Sequence, residues 1–208
     1  ALTRALRDDF RDIRLLERCR RLAGKYGSDA AGTASLARDC SGFLGRLVLG
    51  HPLSNGVQPY PGLFLFGNDI MLSCPATPDG RRDGERVSYG CGPGVHGCLG
   101  GTTATLMSSA VLHHELFACG NPLLLSLPEA SAATGLSDRI QALLDAYFAA
   151  GGPQLHFNTV TAETLRQARK DPAAHRGLLV WISGYSARFA ELPERWQDAL
   201  IERTERGL

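Results

Sequence analysis

Apolar residues recur every three or four positions in several stretches of this chain, which is the spacing of an amphipathic helix. The first stretch, residues 1–23, places leucine, isoleucine and phenylalanine at that spacing between arginines and aspartates, so one helix is predicted there. A second helix is predicted over about 32–48, with one apolar face made of Leu36, Cys40, Phe43, Leu44 and Leu47. Further helices are predicted over about 103–114, 137–150, 161–170 and 193–206.

Short apolar runs with the length of buried strands stand between these helices. They cover residues 62–66, 122–127, 154–160 and 178–182. The last run leads directly into Ser183-Gly184-Tyr185, which reads as a turn between an apolar strand and the final helix. Because helices alternate with single short strands, the pattern predicts an α/β fold. Residues 74–103 are rich in glycine and proline and are expected to be mostly irregular.

Charge and hydropathy exclude several classes of function. The 208 residues carry 22 basic and 21 acidic side chains, which gives no electrostatic reason to expect nucleic acid or an acidic membrane surface as a partner. No apolar run reaches the roughly 20 residues that span a bilayer. Residues 1–21 are charged throughout and do not resemble a signal peptide, so a cytoplasmic location is predicted.

Candidate metal and phosphate sites are weak in this sequence. The six cysteines form no CxxC pair, so no zinc site is expected, and the thiols are predicted to be reduced. His113 and His114 are adjacent and would point in different directions on a helix, so no metal site is predicted there either. Gly90–Gly94 lacks the Lys-Ser/Thr of a phosphate loop. Arg81 and Arg82 are expected to be solvated.

Gly184, judged by spacing alone, is a turn glycine that tolerates a positive φ. The run Val180–Phe189, however, resembles the C-terminal radical loop of the glycyl radical enzyme family (pyruvate formate-lyase-like), whose motif is close to R-V-S/A-G-Y. Four further blocks resemble the same family in the same order along the chain. They are Ala76–Arg82 (A-T-P-D-G-R in the family), Gly101–Ala104 (G-P-T-A in the family), His156–Leu165 and Leu192–Thr204.

The resemblance implies a glycyl radical on Gly184, installed after translation by a separate radical-SAM activating enzyme, with no bound cofactor. Glycine suits this chemistry because the radical centre must become planar between an amide and a carbonyl, and a Cβ would crowd that backbone. In the family the stored radical oxidises a cysteine to a thiyl, which takes hydrogen from a small-molecule substrate. That cysteine lies in a G-C-x-E motif upstream of the blocks matched here.

No such cysteine motif is present in this sequence. Cys91 and Cys98 follow glycines, but neither has Glu two positions later, and both come after the Asp79-Gly80-Arg81 segment that the family's cysteine precedes. We therefore expect a larger barrel subunit to carry the catalytic cysteine, either because the enzyme is naturally split or because this chain is a piece of it. The resemblance implies the C-terminal segment of a ten-stranded α/β barrel, completed by that other chain. Its predicted parts are a helical segment, 1–60, and a glycyl-radical domain, 61–208, with the radical loop near 180–189.

The predicted reaction is radical cleavage of a C–X or C–C bond, of dehydratase, lyase or decarboxylase type. Ser186 and Asn158-Thr159-Val160 look more like this branch, whereas Arg188-Phe189 is closer to pyruvate formate-lyase. Two alternatives stay open: a spare-part protein that restores an oxygen-damaged enzyme, and a non-radical structural subunit. The latter is favoured by Trp181, which stands where the family has arginine. Gly92–Thr102 also departs from the family's polar segment, so the substrate is not identified.

Overall fold

A computed structural model describes residues 2–22, 24–28, 30, 32–64, 74–85, 87–88, 90–94, 96–97, 100–127, 136–182 and 185–205. The helices of this described part are α1 (Leu2–Arg7), α2 (Ile13–Arg20), α3 (Thr33–Leu49), α4 (Gly101–Ala110), α5 (Leu136–Ala149), α6 (Ala162–Lys170) and α7 (Glu194–Glu205). The strands are β1 (Leu123–Ser126), β2 (Leu155–Asn158), β3 (Leu179–Trp181) and β4 (Ser186–Arg188). Two 3-10 turns cover His114–Leu116 and Phe189–Glu191. Within these ranges, no helix has the length and apolar character needed to cross a bilayer.

The prediction of one helix over residues 1–23 is wrong. Asp9 and Phe10 adopt left-handed backbone angles, with φ of 48° and 51°, which ends α1 and turns the chain. Asp12 then caps α2, because its Oδ1 accepts from Arg14 N (3.0 Å) and Leu15 N (3.2 Å). The break brings the Phe10 ring to complete burial beside Leu16, which a straight helix would not do.

The helices predicted after residue 30 are confirmed to within two residues at each end, with one exception. Helix α4 ends at Ala110 instead of continuing to about His114. There the His114 ring folds back, and its Nε2 donates to the Ser109 carbonyl oxygen over 2.8 Å. That carbonyl lies in the last turn of α4 and also accepts from Leu112 N over 3.2 Å, so the two contacts together stabilise the early stop.

Two separate two-stranded sheets are present in the described residues. Strands β1 and β2 are parallel, in register from Leu123↔Leu155 to Ser126↔Asn158, and α5 lies between them in the chain. Strands β3 and β4 form an antiparallel hairpin that ends at the Trp181↔Ser186 pair. Strand β4, which the sequence pattern did not predict, therefore lies between the turn and the final helix. The strand predicted over 62–66 is not formed at 62–64, and residues 65 and 66 lie outside the described residues.

Each sheet has its own apolar core. The parallel pair packs Leu123 and Leu125 against Leu106 of α4 and Tyr147 of α5. The hairpin instead packs on α6 and α7, through a cluster of Leu165, Ala168, Val180, Ile182, Phe189 and Leu200. The residues around position 184 are thus carried by a core largely separate from that of the parallel strands.

The expectation that Arg81 is solvated is also wrong. Its side chain is 3% exposed, and its guanidinium donates to the carbonyl oxygens of Cys74 (2.9 Å), Arg82 (3.0 Å) and Pro75. The surrounding turn is closed by a hydrogen bond from Thr77 N to Arg81 O of 2.9 Å. A fixed guanidinium fork can serve several carbonyls at once, which explains how Arg81 organises a segment without regular structure.

Candidate functional site

The predicted radical loop lies at the end of the β3–β4 hairpin. Trp181 pairs with Ser186, and Ile182 N donates to Tyr185 O over 2.9 Å. Gly184 and its neighbour Ser183 lie between these residues in sequence and outside the described residues. The structure therefore describes the frame on both sides of Gly184.

Asn158, the last residue of β2, holds β3 from the side. Its Oδ1 accepts from Trp181 N (3.0 Å), and its Nδ2 donates to Trp181 O (3.2 Å). One side-chain amide thus satisfies both backbone polar groups of Trp181, as a neighbouring strand would. Asn158 is 5% exposed, so these bonds are shielded from water and join the parallel sheet to the hairpin.

Arg203, on α7, binds the same strand through two backbone carbonyls. Its Nη2 donates to Trp181 O (2.7 Å) and its Nη1 to Ile182 O (3.1 Å). These are the last two carbonyls before Ser183 in the sequence. The guanidinium is 5% exposed, and bonds from a charged donor in such a dry site are stronger than neutral ones. Arg203 therefore fixes the end of β3 at the entrance to the loop.

The other end of the hairpin is fixed by Gln197, also on α7. Its Nε2 donates to the carbonyl oxygens of Phe189 (3.1 Å) and Leu192 (3.0 Å). The Phe189 ring is completely buried in the hairpin core. Helix α7 is thus hydrogen-bonded to the chain both before and after the loop.

One side of the hairpin is covered by this chain and the other is open. Val180 and Ile182 are 2% and 3% exposed and face the core. Tyr185 is 39% exposed and Leu179 is 59% exposed. The described residues therefore shield the hairpin from one side only.

Cys91 is a buried structural thiol. Its Sγ lies 3.1 Å from Ser109 Oγ and 3.4 Å from Asn121 O, and the phenolic OH of Tyr26 donates to the Cys91 carbonyl oxygen over 2.6 Å. Burial raises the pKa of the Cys91 thiol to about 11. A thiol enclosed in the core of the parallel strands suits the packing role that the sequence favoured for Cys91. Cys98 lies outside the described residues.

The two adjacent histidines do diverge, as expected. His113 Nδ1 lies 2.7 Å from Glu115 Oε1, whereas the His114 ring is buried and bonded to Ser109 O. No group of three potential metal ligands occurs among the residues that the structure describes.

Comparison with known proteins matches the segment that contains this hairpin. Residues 99–190 match the family model described as "Glycine radical". The (2S)-3-sulfopropanediol dehydratase of Klebsiella oxytoca is 31% identical over 188 residues, which cover 86% of this chain and 23% of the relative. The trans-4-hydroxy-L-proline dehydratase of Clostridioides difficile is 34% identical over 189 residues, with 87% and 23% covered.

The solved structures agree. The B12-independent glycerol dehydratase from Clostridium butyricum superposes with a TM-score of 0.89 at 26% identity, covering 97% of this chain and 26% of that chain. This chain is a member of the glycyl radical enzyme family. It spans about a quarter of the length of the relatives that it matches.

Membership confirms the predicted fold class, because the described α/β architecture is a segment of the glycyl radical enzyme barrel. In this family the radical is formed on the protein backbone after translation by a radical-SAM activase and needs no bound cofactor. The division of the chain at residue 60 stays a prediction.

Trp181, which stands at the position of the family's arginine, packs against His156 of β2. The ring centroids are 4.5 Å apart, with the planes inclined by 58°. Burial lowers the pKa of His156, so the imidazole is neutral near pH 7 and the contact is one between two uncharged rings. In this member of the glycyl radical enzyme family, an aromatic pair therefore stands beside the loop where an arginine is usual.

The segment that departs from the family between Gly92 and Thr102 includes an ionic cluster. Glu85 accepts from Arg20 Nη2 (2.7 Å), and its other oxygen lies 3.2 Å from His96 Nε2. Burial lowers the pKa of His96, against the opposing effect of its bond to Glu85. The cluster joins this segment to α2 and holds the Arg20 side chain partly buried.

Sequence reasoning did not assign the anchoring roles of Asn158, Gln197 and Arg203. All three lie inside blocks that resemble the family, and that resemblance was the signal in the sequence that could have pointed to them. Their partners are backbone carbonyls and amides up to 23 residues away, which no side-chain motif reveals.

Proposed function

We propose that Gly184 carries the glycyl radical and that this chain is the radical-bearing subunit of a split glycyl radical enzyme. The observation that carries the proposal is the hairpin frame inside the glycine radical match, with Gly184 in sequence between Ile182 and Tyr185. The reaction would be a radical cleavage of a C–X or C–C bond in a small-molecule substrate. Relatives named as dehydratase, decarboxylase and sulfite-lyase favour this class.

The frame suits a stored radical. The activase would remove one hydrogen atom from the Gly184 α-carbon, leaving an unpaired electron shared between the flanking amide and carbonyl. Arg203 and Asn158 fix the strand that enters the loop, and Val180 and Ile182 cover its inner side. A rigid and partly dry frame would limit the contact of the radical with oxygen.

The thiyl cysteine would come from a partner polypeptide. In turnover its S–H bond would give a hydrogen atom to the Gly184 radical, and the resulting thiyl would take hydrogen from substrate. Cys91 is poorly placed for this task, because it is enclosed in the core of the parallel strands. The relatives are also about four times longer than this chain, which leaves ample sequence for a cysteine-bearing barrel.

A non-radical structural subunit is the second candidate, and Trp181 at the family's arginine position is the observation that favours it. An anaerobic activation experiment separates the two. The chain is incubated with the activase, with and without a barrel protein of the glycyl radical enzyme family that carries the G-C-x-E motif, and an electron paramagnetic resonance (EPR) spectrum is recorded.

A glycyl doublet is expected in the wild type and in Gly177→Ala, an exposed glycine with open space around its Cβ position. The doublet should be lost in Gly184→Ala. Air should then cut the wild-type chain at residue 184. No doublet under any condition would contradict the radical and favour the structural subunit. A doublet that forms without the barrel protein, followed by rescue of a damaged enzyme, would favour a spare-part protein.

A further inference from the structure

Helix α3 turns its apolar face away from this chain. Leu36, Phe43, Leu44 and Leu47 are 66%, 63%, 53% and 45% exposed, and Cys40 between them is exposed as well. At about 100° per residue these five side chains occupy one stripe of the helix. We call Leu36, Cys40, Phe43, Leu44 and Leu47 the α3 stripe. Contiguous apolar surface of this kind marks an interaction site in a native protein.

The opposite side of α3 is the one packed on the chain, and small residues make this possible. Ser41, Gly42 and Gly45 are buried there. A Cβ added at Gly45 would lie 2.6 Å from Leu116 Cβ, and one at Gly42 would lie 2.6 Å from His113 Cδ2. The helix therefore cannot rotate to bury its leucines against the His114–Leu116 turn, because there is no room for them.

A hydrogen bond fixes this orientation. Ser41 Oγ accepts from His113 N over 3.1 Å and donates to Arg38 O over 2.8 Å. Arg38 in turn donates to Val111 O over 3.1 Å. The packed side of α3 is thus specified by contacts that a rotated helix would lose, and the stripe faces outward as a consequence.

The parallel sheet is incomplete in the same molecule. Among the described residues, β1 and β2 pair only with each other. Parallel strands normally belong to larger sheets that are covered on both faces, and two strands alone are marginal. The solved glycyl radical enzymes contain the equivalent of 97–98% of this chain within chains about four times longer. Barrel sequence like that of these longer chains would complete the parallel sheet.

We infer that the α3 stripe is the docking surface for the barrel-bearing polypeptide, which would cover it with an apolar surface of its own. The inference rests on the proposed split enzyme. A second copy of this chain is the less suitable occupant, because stripe-to-stripe pairing would bury the leucines and still leave the parallel sheet incomplete. One barrel partner accounts for both features.

Cys40 provides a direct test, since it lies within the stripe. The full chain is treated with N-ethylmaleimide, alone and in complex with the same barrel protein that carries the G-C-x-E motif, and modification of each cysteine is followed by peptide mass spectrometry. Cys40 and Cys119, both exposed, should react in the free chain. In the complex, the rate at Cys40 should fall at least tenfold. A complex in which Cys40 keeps its free-chain rate would overturn the inference.

Matched variants test the surface by affinity. The Phe43→Gln/Leu44→Gln chain should bind the barrel protein at least tenfold more weakly, whereas Phe148→Gln, which removes an exposed ring from α5, should not. Equal losses for the two variants would contradict the stripe as the docking surface. Concentration-dependent dimerisation of the free chain that disappears in Phe43→Gln/Leu44→Gln would identify a second copy as the occupant and overturn the proposal.

The EPR result separates this inference from the proposed function. A complex that protects Cys40 but never yields a glycyl doublet would support docking and contradict the radical role. A complex that yields the doublet while Cys40 stays reactive would support the radical role and contradict docking through the α3 stripe.

Discussion

Replacing Arg203 by methionine tests whether α7 holds the radical hairpin. Methionine keeps much of the buried length but removes both donors, to Trp181 O (2.7 Å) and Ile182 O (3.1 Å). Hydrogen bonds from a charged donor contribute about 1.5–3 kcal/mol each. Trp181 O keeps its bond from Asn158, and removing a buried charge recovers part of its desolvation cost, which lowers the expected loss. We therefore expect a net destabilisation of about 2–3 kcal/mol.

Urea unfolding followed by tryptophan fluorescence is the assay. The chain has two tryptophans, and both lie in or beside the hairpin core: Trp196 packs on it, and Trp181 belongs to β3. With a urea slope of about 2 kcal/mol per molar, in the middle of the usual range, the midpoint should fall by about 1–1.5 M. Far-UV circular dichroism reports the remaining helices, and a smaller shift there would show that the loss is local.

Arg169→Met is the matched control. Arg169 lies on the neighbouring helix α6, and its ion pair with Asp198 is solvent-exposed. Exposed ion pairs contribute about 0–1 kcal/mol, so this variant should unfold close to the wild type. Arg203→Lys should fall between the two, because a single ammonium cannot reproduce the guanidinium fork. If Arg203→Met shifts the midpoint no more than Arg169→Met, the anchoring role is refuted.

Two further predictions concern buried polar groups outside the hairpin. Arg81→Met should lower the unfolding free energy by about 3 kcal/mol or more, because several buried carbonyls lose their donor. Arg176 is exposed, so Arg176→Met should be neutral. Equal urea midpoints for the two variants would contradict the role of Arg81. Because its pKa is about 11, Cys91 should stay protonated and unmodified by N-ethylmaleimide at pH 8 in the native chain while Cys119 reacts, and mass spectrometry showing equal rates at the two would contradict its burial.

The sequence by itself predicted most helices and strands of the described residues, since each leaves a local pattern. The apolar spacing around Leu36–Leu47 predicted α3 to within two residues. The helix predicted over about 161–170 is α6, and its start is capped by Thr161, whose Oγ1 accepts from Thr164 N over 3.1 Å. The ordered blocks of resemblance also predicted the family and the fold class before any contact was known.

Other features depended on tertiary contacts and left no local pattern. The backbone break at Asp9 and Phe10 is stabilised by burying the Phe10 ring, so helical spacing through residues 1–23 was misleading. Arg81 looked like a surface residue, because nothing near it in sequence shows that its carbonyl partners enclose it.

The same distinction applies to the candidate site. A glycine at position 184 and its likeness to the radical loop are properties of the sequence. That Asn158 and Arg203 hold the strand before it was decided by tertiary structure, since their partners are distant backbone atoms. The direction of the α3 stripe was decided in the same way. Periodicity showed that α3 has an apolar face, but the close approach of Gly42 and Gly45 to the neighbouring turn determined that this face points outward.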